Sequence, residues 1–130
     1  MRLPDYDLDG WELEDGEQYH REAPDTFWIP PLDSRQMLQP GDFAKLIFGI
    51  ALDDPETPEA VERMWVLIRE RTPTGYMGVL NNDPDCIGEN DIFWSGAELP
   101  FEPRHIINVE ARDIDSLKLA AEPPRIPWNK

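Results

Sequence analysis

Carboxylates are the groups in this chain most able to do chemistry, and their spacing limits what that chemistry is. In Asp5-Tyr6-Asp7-Leu8-Asp9-Gly10, oxygen ligands fall at positions one, three and five and a glycine at six, the opening of a calcium loop. The rest of such a loop is absent: Glu12 stands eighth, where an apolar residue belongs, and Gly16 stands twelfth, where the closing glutamate belongs. Divalent-cation binding at Asp5, Asp7 and Asp9 is therefore the lesser reading, and a solvated acidic segment the expected one. A second group, Asp83, Asp85, Glu89 and Asp91, surrounds Cys86 and Gly88 but places Ile87 where a ligand is needed. Asn82 and Asp83 before Pro84 read as turn formers whose side chains bond their own backbone.

Covalent and acid–base catalysis have few candidates. The histidines are His20 and His105, and Cys86 is the single thiol. A Cys86–His105 pair is conceivable because such pairs meet in space and not in sequence. The acidic surroundings of Cys86 would raise its pKa, opposite to what a reactive thiolate needs. No nucleophile elbow, P-loop, dinucleotide fingerprint or His-Glu-x-x-His occurs. The chain is expected to be non-enzymatic and to hold no cofactor.

Aromatic residues point instead to binding. Phe27-Trp28, Trp65, Trp94 and Trp128 cannot all enter the core of so small a β-rich domain, because neighbouring strand residues face opposite ways. With Met64 and Val66 inward, Trp65 faces out, and Phe93 and Trp94 split likewise. An outward Trp65 or Trp94 ringed by carboxylates would anchor a basic, partly apolar surface. The carboxylates expected to take part are Glu12, Glu14, Asp53, Asp54 and Glu56. The competing reading covers these rings with the N-terminal segment, a short helix or Trp128 itself.

Charge supports the choice of partner. The 130 residues carry 27 Asp and Glu against 12 Lys and Arg, a formal net charge of −15. Such a chain repels phosphate backbones and anionic membrane surfaces, so neither nucleic acid nor membrane is expected as a direct partner. It attracts basic proteins over long range, in a way that salt weakens. One cysteine permits no internal disulfide and no cysteine-based zinc site. The first ten residues lack the basic start and apolar run of a signal peptide, and no stretch reaches the ~18 apolar residues of a membrane span. A cytoplasmic location is the expectation.

These side chains must be held by something, and the elements readable from the sequence are mainly strands. Residues 1–25 hold nine carboxylates and two arginines and read as a largely flexible acidic arm, with Trp11 or Tyr19 able to dock on the body. Residues 26–121 read as a single β-rich domain, and 122–130 as a proline-rich, extended tail. Strands are expected over 42–52, 62–72, 76–81, 91–94 and 106–109, with a Pro73-Thr74-Gly75 hairpin turn and a proline-broken acidic loop over 53–59. A short helical turn is expected from Asp33 or Ser34 to Leu38, and a helix capped by Asp113 over 114–121. Fourteen prolines argue against a helical bundle. The fold class is α+β, mainly β: a small, strongly bent antiparallel sheet or SH3-like, partly open barrel with one or two short helices.

Three segments carry a resemblance. Pro40-Gly41-Asp42-Phe43-Ala44-Lys45-Leu46-Ile47-Phe48, Glu62-Arg63-Met64-Trp65-Val66 and Gly78-Val79-Leu80-Asn81-Asn82-Asp83-Pro84, the last followed by Asp91-Ile92-Phe93 and Phe101 to Ile107, resemble a domain-of-unknown-function family of small, uncharacterised bacterial proteins with an SH3-like or bent-sheet core. The resemblance implies a fold and, in kind, an immunity-type or partner-binding role, with no residue roles to carry over. The resulting expectation is an acidic protein-binding module engaging a basic protein. The alternatives are a small-molecule or divalent-cation-binding domain, and a nucleic-acid mimic that blocks a DNA-binding protein.

Overall fold

Nine consecutive residues, Phe43–Ala51 (β2), form the central strand, and their alternation sets the layers of the molecule. Ala44, Leu46, Phe48 and Ile50 point into the core, and Phe43, Lys45, Gly49 and Ala51 point away from it. The computed structural model describes residues 2–129. Strand β3 (Glu59–Arg71) pairs antiparallel with the whole of β2 through residues 59–67, with Ala44 opposite Val66 and Leu46 opposite Met64. Strand β4 (Tyr76–Leu80) follows through a turn in which the Thr72 hydroxyl accepts a hydrogen bond from the Gly75 N–H. Strand β5 (Glu98–Phe101) adds beyond β4. On the other edge of β2, β1 (Trp11–Leu13) pairs with residues 48–50, and β6 (Ile106–Glu110) with residues 43–46. The order β1-β2-β3-β4-β5, with β6 beside β1 on one edge, curls into a half-barrel. This is the bent antiparallel sheet of an α+β fold, as expected.

Four short helices accompany the sheet: α1 (Tyr6–Asp9), α2 (Gly16–Glu22), α3 (Leu32–Gln36) and α4 (Ile114–Ala120). Asp113 caps α4 by accepting from the Ser116 N–H, as its spacing predicts. Helix α4 lies on the outer face of the sheet, where Ala120 packs with Leu67, Val79 and Phe43. Helices α1 and α2 were not expected. Asp5 caps α1, and Gly10 closes it with φ of 80°, a left-handed turn that lets the chain reverse into β1.

Two boundaries differ from the sequence reading. The first 25 residues are built into the domain: Trp11, 3% exposed, sits in the core, and its segment pairs with β2. Their charge is partly neutralised by cations from elsewhere, Asp15 by Arg104 and Glu17 by Arg35, which makes docking of so acidic a stretch tolerable. The tail is likewise attached. Ile126 bridges Ala97 in parallel, and Trp128 is buried against Trp11 with ring centroids 6.1 Å apart. Residues 91–94 form no strand. The Asn90 side chain accepts from the N–H groups of both Ile92 and Phe93, and this Asx turn bends the chain where a strand was expected.

His105 ends a 3₁₀ turn (Pro103–His105) and is buried beneath the α2–α3 side of the barrel. Its Nδ1 accepts from the Glu102 N–H, which assigns the proton to Nε2. Burial, reinforced by the Arg104 guanidinium, holds the imidazole down at about 4, against 6.5 in the unfolded chain.

Two outcomes follow. Trp11→Ala is expected to cost about 3–5 kcal/mol in urea unfolding, because it empties a core position and detaches β1. His105 has a folded pKa below its unfolded one, so the stability it permits is complete above pH 6.5 and is lost as pH falls towards 4. That loss is about 3 kcal/mol. Unfolding of a His105→Asn variant across this window should lack it; an unchanged pH slope would contradict the assignment.

Candidate functional site

The outer face of β3 is where the chemistry-bearing residues gather. From Glu59 the outward positions read Glu59, Val61, Arg63, Trp65, Leu67, and only the last is covered by α4. Glu12 of β1 faces the same way opposite Gly49, and Val61 lies opposite Gly49 on the other side. A Cβ at position 49 would come 3.0 Å from the Glu59 carboxylate and 3.6 Å from the Glu12 side chain, so both glutamates lean over the glycine. Glu59 was not singled out from the sequence; the signal was its alternation with Val61, Arg63 and Trp65, hidden because the strand begins three residues before the expected start.

Carboxylates crowd at this end. Partial burial first, then the charges of Glu59, Glu14, Asp5 and Asp7, hold the Glu12 carboxyl above its ordinary value. Tyr6 is raised in the same way, by burial and then by Glu59, Glu12 and Asp7. Among the described residues none of Asp7, Glu12, Glu14 or Glu59 forms an ion pair with Lys or Arg. Asp53, Asp54 and Glu56 are exposed in the β2–β3 loop, which the Leu52 N–H closes onto the Pro58 carbonyl just before Glu59. Glu14 accepts from the Tyr19 hydroxyl, which pushes that phenol up to about 12. Beside it opens a cleft of about 340 Å³ lined by Glu14, Asp15, Gln18, Tyr19 and Glu22. Three carboxylates around one opening suit a Lys or Arg side chain.

The other predicted residues are placed differently. Asp5 is spent capping α1. Asp9 is held by a two-pronged contact with Arg2, at 2.7 and 2.9 Å, and also accepts from the Asp5 N–H at 2.8 Å. Asp5, Asp7 and Asp9 thus do not converge, and no group of three His, Cys, Asp or Glu able to hold a metal ion occurs among the described residues. Trp65 is on the outer face, half-buried, but the charge over its ring is the Lys45 ammonium, 5.6 Å from the centroid. The expected ring of carboxylates around Trp65 is therefore corrected: antiparallel register sets Lys45 directly opposite. Phe93 and Trp94 split as expected, Phe93 into the core and Trp94 half-buried in a turn off the sheet. Sequence reasoning gave Trp28 no distinct role, yet it is the most exposed tryptophan, at 66%.

Cys86 and His105 are engaged separately. Burial first, then its hydrogen bond to Glu62, pushes the Cys86 thiol up to about 11. Burial also pushes the Glu62 carboxyl up, but the Cys86 thiol and the N–H groups of Asp85 and Cys86 outweigh it and hold Glu62 below its ordinary value. Glu62 thereby ties the 82–90 loop to β3.

No family model, no curated protein and no solved structure matches the chain. No described helix is long and apolar enough to cross a membrane.

The Cys86 assignment predicts slow chemistry. At pH 8, alkylation by iodoacetamide should run about a hundredfold below an unhindered thiol, and Glu62→Gln should speed it about tenfold. Equal rates for the two proteins would remove Glu62 from the account.

Proposed function

We propose that the protein is a non-enzymatic, cytoplasmic binding module whose acidic end engages a basic protein, in the manner of an immunity-type or regulatory partner. The observation that carries this reading is the un-neutralised group Glu12–Glu59 with Asp7 and Glu14, in which partial burial first and then the neighbouring carboxylates hold the Glu12 carboxyl above its ordinary value. Like charges held together on a folded surface repel one another, and an arriving cation relieves that repulsion. The exposed Asp53, Asp54 and Glu56 extend the same field, and the Glu14–Asp15–Glu22 cleft offers a place for one Lys or Arg side chain.

The net charge of −15 supplies the long-range attraction, and the aromatic neighbours supply contact area.

The test is capture from host lysate at low and high salt, run beside a Glu12→Lys/Glu59→Lys variant. A basic protein retained by the natural chain at low salt, released at high salt and bound about tenfold or more weakly by the variant is the expected result. Equal retention by both chains, or retention of no basic protein, overturns the reading and leaves the charge as a solubility device.

A further inference from the structure

The other end of the same outer face has the opposite sign. Lys45 and Arg63 are diagonal neighbours on β2 and β3, since Arg63 lies opposite Ile47, two residues beyond Lys45. Neither forms an ion pair with a carboxylate among the described residues, in a chain with 27 carboxylates. Each cation instead lies over a ring: Lys45 on Trp65 at 5.6 Å and Arg63 on Phe27 at 5.2 Å. Between them opens a cleft of about 200 Å³, lined by Thr26, Phe27, Trp28, Lys45, Arg63 and Asn108 together with Ile107. It contains two cations, an amide and a hydroxyl, no carboxylate, and an indole that is two-thirds exposed.

Two like charges set diagonally on one sheet face repel, and the surface has abundant acids with which it could have separated them. Their grouping leaves donor hydrogens aimed at nothing acidic, beside a residue type enriched in binding hot spots. Charge complementarity names the occupant's polar group as a carboxylate, and Trp28 with Phe27 names an apolar neighbour. The net charge of −15 narrows it further: polyphosphates and anionic bilayers are repelled at long range, whereas one carboxylate on an otherwise neutral or basic segment is not.

We propose that this cleft docks a segment of a protein partner in which a single Asp or Glu is flanked by apolar side chains, its carboxylate seated between Lys45 and Arg63 and an apolar neighbour on Trp28. This site lies beyond the acidic one and does not depend on what the acidic end binds. Lys45 and Arg63 are suited to the task because their ring contacts already restrict them, which lessens the ordering cost of binding. Their charged ends lie over Trp65 and Phe27, so methionine at both positions removes the charges while keeping an unbranched side chain beside each ring.

The experiment is an NMR titration of the isotope-labelled full chain with capped Leu-Glu-Leu, capped Leu-Gln-Leu and sodium acetate as probes. The expected result is saturable shifts of the Trp28 and Trp65 indole N–H signals with the Glu peptide. Affinity should fall about tenfold with the Gln peptide, with Lys45→Met/Arg63→Met, and with Trp28→Ala, while signals of the buried Trp11 stay in place. Glu12→Gln/Glu59→Gln should leave this titration unchanged, so failure here and failure at the acidic end are separable. No saturable shift up to about 10 mM peptide, or equal affinity for the Gln peptide, overturns the proposal. Saturation of the same signals by acetate at the peptide's concentration also overturns it, in favour of a small-anion site.

Discussion

The stacking of Trp11 on Phe93, with centroids 4.4 Å apart, is the contact on which the rest of the molecule depends. Trp11 also tilts against Phe48 of β2 and meets Trp128 edge-on, so one indole joins the N-terminal strand, the central strand, the 90–94 turn and the C-terminal tail. Strand β1 has three residues and could not hold its place through ladder hydrogen bonds alone. Burial of Trp11 anchors it, and the alternation of a strand then forces Glu12 outward over Gly49. The acidic cluster is thus a consequence of a hydrophobic anchor: the charge sits where it does because the neighbouring ring must be inside.

A second constraint is the use made of scarce cations. Arg35 is buried, donates to the carbonyls of Pro30 and Pro103 and pairs with Glu17 at 2.7 Å, tying α2, α3 and the 3₁₀ turn together. Because it is desolvated, losing its Glu17 partner would strand a buried charge. Arg2, Arg69, Arg104, Arg112 and Arg125 hold other seams at or nearer the surface, where each pair contributes little alone. Arginines assigned to seams are unavailable to neutralise Glu12 and Glu59, which form no ion pair among the described residues.

The sequence made the sheet legible where alternation was long enough to read. Residues 43–51 declare their strand by composition, 64–68 declare both a strand and its inward face, and Asp113 declares the start of α4. It could not declare β1, since Trp-Glu-Leu has too few residues for a period and sits among acids that look solvated. Strand β5 was hidden by Pro100, a residue that demotes any strand reading but is tolerated on an edge. The 91–94 segment failed for the converse reason: Ile-Phe-Trp has strand composition, and an asparagine one residue upstream overrides it. At the site, Glu12 and Glu14 were readable as charges and Trp65 as an outward ring. The cation opposite Trp65 was not, because pairing register is set by hairpin geometry that composition does not encode.

The spacing of the two signs on one strand has its own consequence. From Glu59 to Trp65 the outer face of β3 advances roughly 20 Å, with the half-exposed Val61 between the acidic and the cationic halves. A protein interface of ordinary size, about 800 Å² per partner, covers that distance, so a single partner could meet both halves at once. Such a partner would need basic groups, then an apolar contact, then a carboxylate, in that order along the strand. Reversing the order would set like charges against each other at both ends, a penalty that disfavours misaligned or wrongly patterned surfaces. Net charge attracts any basic surface without discrimination, whereas a change of sign along one strand discriminates among such surfaces.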